Sequence, residues 1–225
     1  MYDIIFISYN ENNADNNWDI LKTRAPWAKR VKGVKGIHQA HIEAAKRSFT
    51  SMTWIVDADA IILDKFDFDY IVPDHQLDHV HVWSSINPIN DLVYGYGGVK
   101  LLPTKLTINM DITKVDMTTS ISNKFIAMPE ISNITAFNTD EFSAWRSAFR
   151  ECCKLASKTI NRQESDETDV RLATWCSDTG KARQFGEVTI RGAKAGRDYG
   201  VLNQGNLEAL NNINNYKWLK EKYNE

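Results

Sequence analysis

The sequence predicts an α/β fold, a mixed sheet flanked by helices, in one domain spanning residues 1–225. Three observations predict it. Apolar, β-branched runs of strand length recur in the first half. Helix-like segments stand between them, the alternation that builds a sheet with parallel members. The second half then carries clear amphipathic helices.

The elements follow in order. "YDIIFISY" (2–9) reads as a first strand. "ENNADNNWDILKTRAPWAKRV" reads as a loop and a short helix, stopped near Pro26 because proline lacks a donor and clashes with the turn before it. "KRVKGVKGI" (29–37) holds a short strand ending at Gly36. "IHQAHIEAAKRS" (37–48) reads as a helix with Ile37, Ala40, Ala44 and Ala45 on one face. "MTWIVDADAII" (52–62), "DHVHVWSSI" (78–86) and "YGYGGVKLLP" (94–103) read as strands, and 104–137 as β-leaning with little helix signal. "NTDEFSAWRSAFRECCKLASKTI" (138–160) predicts a helix capped by Thr139 or Asp140, with Phe142, Trp145, Phe149, Cys152 and Leu155 as its apolar stripe. "SDETDVRLATWCSDTGK" (165–181) predicts another, capped at Ser165 or Asp166 and stopped near Gly180. "GEVTIRGAKAGRDYGVLN" (186–203) reads as a mobile basic loop because of its glycines, and 206–223 as a last amphipathic helix.

Composition narrows the function classes. With 43% hydrophobic residues the chain can bury a sizeable core. Its net charge of −2 means that a nucleic-acid partner must be met by a local basic patch. No apolar run approaches the ~20 residues of a membrane span. The amino end lacks a basic leader and reads as a strand, so a cytoplasmic protein is expected. Cys152, Cys153 and Cys176 include no CxxC pair, which fits buried free thiols rather than a disulfide framework or zinc site.

One motif carries chemistry. In "WIVDADAIIL" (54–63), Asp57 and Asp59 stand at the end of a strand-like run. Ligands of open α/β sheets bind beyond the carboxyl ends of parallel strands. Residues i and i+2 of an extended chain share a side. Two carboxylates so placed suit a hard divalent cation, Mg²⁺ or Mn²⁺, which prefers oxygen ligands and keeps positions open for phosphate.

This arrangement resembles the DxD motif of nucleotide-sugar glycosyltransferases of the GT-A fold, with its half-Rossmann nucleotide site. Three longer segments, "INPINDLVYGYGGVKLLP" (86–103), "FNTDEFSAWRSAFRECCKLAS" (137–157) and "GVLNQGNLEALNNINNYKWLKEKY" (200–223), look like glycosyltransferases encoded by tailed bacteriophages and large viruses. The resemblance implies a metal-dependent transferase using a nucleoside-diphosphate donor, with UDP preferred. It also implies a DNA acceptor, 5-hydroxymethylcytosine, and arabinose as a sugar. A polysaccharide or protein acceptor, and a sugar-nucleotide-binding module without turnover, are the alternatives.

The resemblance distributes further roles. Asp57 and Asp59 would hold the metal, with Asp198, a water, or one of His75, His79 and His81 as third ligand; no histidine follows His81, where such enzymes carry one late in the chain. Ser8, Tyr9 and Asn10 after the first strand, and His38 and His41 on one helix face, would contact the donor together with Asp57. Arg191, Lys194 and Arg197 would close over the diphosphate. Gly97 and Gly98, which permit positive φ, and the aromatic Tyr94 and Tyr96 would form the acceptor wall. Arg146 and Arg150 are like charges at i, i+4 and call for an anion between them, an acceptor phosphate or Glu151. Asp140, Glu141 and Glu151 are candidate bases for an inverting reaction; a retaining one needs none. Lys29, Arg30, Lys32, Lys35, Lys100 and Lys105 are the candidate phosphate patch.

Overall fold

A computed structural model describes residues 1–159 and 165–225, without the side chain of Ser165. The expected cap at Ser165 and the end of the expected 138–160 helix at Ile160 lie outside the described residues. The contacts gather into two compact units. The first comprises Met1–Asn87, Val93–Ile112 and Ser120–Ala136; the second comprises Pro88–Leu92, Thr113–Thr119 and Phe137–Glu225.

The first unit is α/β. Its opening run alternates β1 (Asp3–Ser8), α1 (Ala14–Arg24), β2 (Lys29–Lys32), α2 (Ile37–Lys46) and β3 (Met52–Asp57). Then come β4 (Ala60–Ile62), β5 (Val80–Ile86), β6 (Val93–Tyr94), β7 (Val99–Pro103), α3 (Thr104–Ile108) and β8 (Phe125–Thr135), while α4 (Met117–Ile121) has residues in both units. Among the described residues the strands form one sheet of order β2-β1-β3-β7-β5-β8-β4, with β6 paired to β5. β2, β1 and β3 are parallel, a Rossmann-like half-sheet; β7 joins β3 antiparallel. Beyond it, β5 is antiparallel to β7, β8 parallel to β5 and β4 antiparallel to β8. The sheet is mixed, as expected.

Burial explains the pattern. β1 and β3 are buried almost throughout, and they read as continuous apolar runs because both faces are covered. Trp54 of β3 anchors the core. Its ring lies 4.5 Å from that of Trp83, 5.3 Å from Phe68 and 6.0 Å from Phe66. The expected strand 52–62 is two strands, because Ala58 and Asp59 turn the chain between β3 and β4. That turn is held by distant partners: Asn17 Nδ2 donates to the Ala58 carbonyl at 2.8 Å, and the Ala136 amide donates to that of Asp59 at 2.7 Å.

The second unit is helical: α5 (Glu141–Ser157), α6 (Ser165–Cys176), α7 (Gly186–Leu202), α8 (Leu207–Asn211) and α9 (Tyr216–Tyr223). The basic loop expected over 186–203 is instead the 17-residue helix α7. Gly192, Gly196 and Gly200 recur every four residues and form one face. A Cβ on them would lie 2.4 Å from the Trp145 carbonyl oxygen, 2.1 Å from that of Phe149 and 2.6 Å from that of Cys153. Glycine costs a helix about 1 kcal/mol per residue against alanine. Here its missing side chain lets two backbones touch, and the packing offsets that cost. Arg191, Lys194 and Arg197 therefore ride on a packed helix rather than a closing loop. The tail expected as one helix is broken at Asn215, whose side chain caps α9 by accepting from the amides of Lys217 and Trp218.

Candidate functional site

β3 delivers Asp57 to its carboxyl end, between β1 and β7. β3 and β7 pair so that Lys100 stands opposite Ile55. Asp57 is then its diagonal neighbour on the same face, within reach of a long side chain. Lys100 Nζ donates to Asp57 Oδ2 at 2.6 Å, and the Gly98 amide donates to the same oxygen at 3.1 Å. The Asp57 amide in turn donates to the Gly98 carbonyl at 2.8 Å. The Gly-Gly turn has the positive φ expected of it, +133° at Gly97 and +70° at Gly98. A side chain at Gly98 would strike Asn133, with a Cβ 2.5 Å from its amide.

Electrostatics make this a buried charge centre. The Lys100 side chain is 3% exposed and that of Asp57 23%. Burial by itself would raise the Asp57 pKa; the charge of Lys100, with its hydrogen bond and that of Gly98, outweighs it and holds the carboxyl below its ordinary range. His41 on α2 is fully buried beside the pair. Its Nδ1–H donates to the Ile37 carbonyl at 2.8 Å, which fixes Nε2 as the bare acceptor. Burial, reinforced by Lys100, pushes its pKa down to about 4, so the ring is neutral. Two buried acceptors, Asp57 Oδ1 and His41 Nε2, hold no hydrogen bond.

The geometry at Asp57 does not fit the metal expected at Asp57 and Asp59. Asp57 Oδ2 already carries an ammonium and an amide. A Mg²⁺ or Mn²⁺ at about 2.1 Å from that oxygen would lie no farther than about 4.7 Å from Lys100 Nζ. Positive charges that close repel by roughly 4 kcal/mol per pair of unit charges at an intermediate dielectric. Oδ1 is sealed from solvent. Among the described residues no three His, Cys, Asp or Glu side chains gather as a metal cage. The candidate third ligands have other partners: Asp198 pairs with Arg197 at 2.8 Å, His79 with Asp78 at 2.7 Å, and His81 Nε2 with Gln76 at 3.3 Å. His75 Nε2 meets Gln76 Nε2 at 3.4 Å.

The other expected residues fall into two groups. Near the parallel strands, Ser8 Oγ accepts from Arg30 Nε at 3.0 Å, and the Tyr9 amide donates to Glu11 at 2.7 Å. Tyr9 and Asn10 are exposed after β1. His38 bonds Ser120 at 3.1 Å. Tyr94 and Tyr96 lie against each other, tilted by 35° with ring centres 4.8 Å apart, before the Gly-Gly turn.

In the second unit several expected roles are taken by structure. Asp140 caps α5, accepting from the Ser143 amide at 2.8 Å and hydroxyl at 2.7 Å. Burial would raise its pKa, but these bonds lower it, which makes it a poor base. Glu151 pairs with Lys154 at 3.1 Å. Arg146 lies over the rings of Phe142 and Tyr216, and Arg150 donates to the Ile213 carbonyl at 2.8 Å and to Asn214. Glu141 accepts from Tyr223 and lines a groove of about 580 Å³ with Lys181, Arg183, Glu187 and Arg191.

The phosphate patch is also reassigned in part. Lys100 is buried on Asp57. Lys29 pairs with Asp3 at 2.9 Å, while Arg30 and Lys32 pair with Asp15 at 2.6 and 3.2 Å. Lys35 and Lys105 are exposed.

Asn133 is a site component that the sequence did not point to, and Lys100, expected in the phosphate patch, is instead the partner of Asp57. A lysine alone among apolar residues in "GGVKLLP" was the available signal. Cys176 is half-buried rather than buried, and its thiol is lowered to about 7, first by the hydrogen bond from Cys152 and then by Arg197 and Lys194. No helix among the described residues is long and apolar enough to cross a membrane. No protein-family model, curated protein or solved structure matches the chain.

Proposed function

We propose that the chain is a nucleotide-sugar glycosyltransferase of the GT-A type, using a nucleoside-diphosphate sugar, UDP preferred. The observation that carries the reading is the Asp57-Ala58-Asp59 turn at the carboxyl end of β3, beside the positive-φ Gly97–Gly98 turn. That end of a parallel half-sheet is where open α/β sheets bind ligands. Close backbone approach at paired glycines suits a sugar or phosphate. In the reaction an acceptor hydroxyl oxygen forms a bond to the anomeric carbon, the bond to the diphosphate breaks, and the hydroxyl proton leaves to a base or to the departing phosphate.

The acceptor we assign is 5-hydroxymethylcytosine in DNA, with arabinose among the candidate sugars; the resemblance to phage-type enzymes supports this half. A base in duplex DNA would have to leave the stack to reach a closed pocket. Incubating the full chain with a panel of radiolabelled UDP-sugars and hydroxymethylcytosine DNA, in EDTA and in Mn²⁺, tests both halves. Label in DNA is the expected result. Sugar released without DNA labelling moves the acceptor to a polysaccharide or protein. Binding without turnover reduces the chain to a sugar-nucleotide-binding module.

A further inference from the structure

The misfit between Asp57 and a divalent metal has a constructive reading. We propose that Lys100 is the resident cation of this site: it neutralises Asp57 and closes that carboxylate to metal, so the nucleoside diphosphate is bound without one. The inference rests on the donor reading above and goes beyond it.

Three observations carry it. Lys100 is 3% exposed, and a lysine is almost never that buried unless paired. Its partner is the DxD carboxylate itself, at 2.6 Å. The pair is also locked by backbone: Gly98 N–H holds the same Asp57 oxygen, and the Asp57 amide holds Gly98 in return. Breaking this lattice to admit a metal would strand a buried ammonium, a costly outcome. The two acceptors left over, Asp57 Oδ1 and His41 Nε2, are buried and offer a metal no open face. Lys100 acts through Asp57 and is a positioning residue.

Calorimetry of the full chain with UDP, CDP, GDP and ADP, each in EDTA and in millimolar Mn²⁺, tests the proposal. The expected result is one diphosphate whose Kd differs by less than about twofold between the two conditions. Binding at least about tenfold tighter in Mn²⁺ overturns the inference and keeps the donor reading. Failure of every diphosphate in both conditions overturns the two together. In Lys100→Met, affinity in EDTA should fall by at least about tenfold and be restored by Mn²⁺, which now finds Asp57 uncovered. Unchanged affinity, or a loss that Mn²⁺ does not repair, counts against Lys100. A purely structural lysine would not move metal dependence. Should Lys100→Met fail to fold, the wild-type comparison decides, with Lys100→Arg expected to stay indifferent to metal.

Discussion

Each compact unit sets a lysine against one or two carboxylates, and the two clusters differ in what they leave undone. In the second unit Lys154 stands between Glu151 at 3.1 Å and Asp116 at 3.8 Å. Asp116 also accepts from the Thr118 amide and hydroxyl and from the Thr119 amide. Both carboxylates are under 10% exposed. In the first unit Lys100 has Asp57 as its ion-pair partner, and the second, buried Asp57 oxygen and the neighbouring His41 nitrogen hold no hydrogen bond. Buried polar groups normally have their bonds made, so the open pair at Asp57 and His41 marks a place where a water or a ligand completes the count. The same residue types thus form a clamp in one unit and a candidate site in the other.

The largest expected effect tests the clamp. Lys154→Met leaves two buried carboxylates without their cation and should cost about 3–5 kcal/mol in urea unfolding. A loss below about 1 kcal/mol, the level of an exposed pair, would show that the cluster is no clamp.

Next in size is a pH effect at the open site. The folded chain keeps His41 neutral down to about pH 4, whereas the unfolded chain takes up the proton near 6.5. Between these values the unfolded state binds more protons, so stability rises with pH. The His41 contribution is complete above about 6.5 and lost on descending to about 4, a total of roughly 3 kcal/mol. Urea midpoints for wild type and His41→Met across this window should converge toward acid pH. Parallel curves would mean that His41 is not buried as a neutral base.

Lys100→Met comes third, at about 2 kcal/mol, because Asp57 keeps the Gly98 amide and some solvent. Adding Asp57→Asn should recover most of that loss. If Lys100→Met costs as much as Lys154→Met, the distinction between clamp and site fails. Asp140→Ala removes only a helix cap and should cost about 1 kcal/mol, read as a small shift in the thermal midpoint.

Legibility in the sequence tracks the range of the interactions. β1 and α5 are local patterns of apolar spacing, and they stand where periodicity puts them; β3 begins where expected but ends at Asp57. Gly97 and Gly98 were legible because positive φ is a property of single residues. The turn at Ala58 and Asp59 was not, since Asn17 and Ala136 hold it from far along the chain. Lys100 looked like a surface cation because the register that carries it to Asp57 is set by pairing two distant strands. In 104–137 the β-leaning pattern found β8, but α3 and α4 are too short for a periodic signal. The glycines of α7 misled for the same reason: taken alone they suggest freedom, and only the facing carbonyls of α5 show that they are contact points.

That last feature bears on what the chain can become under mutation. Every missense change at a glycine adds at least a methyl group, and at Gly192, Gly196 and Gly200 a methyl has nowhere to go. A saturation library selected for folded protein should show three columns, four positions apart, from which every other amino acid is missing. Exposed neighbours such as Lys194 and Val201 should stay permissive. The seam between α5 and α7 is therefore a fixed landmark of the helical unit, while its exposed positions are free to drift.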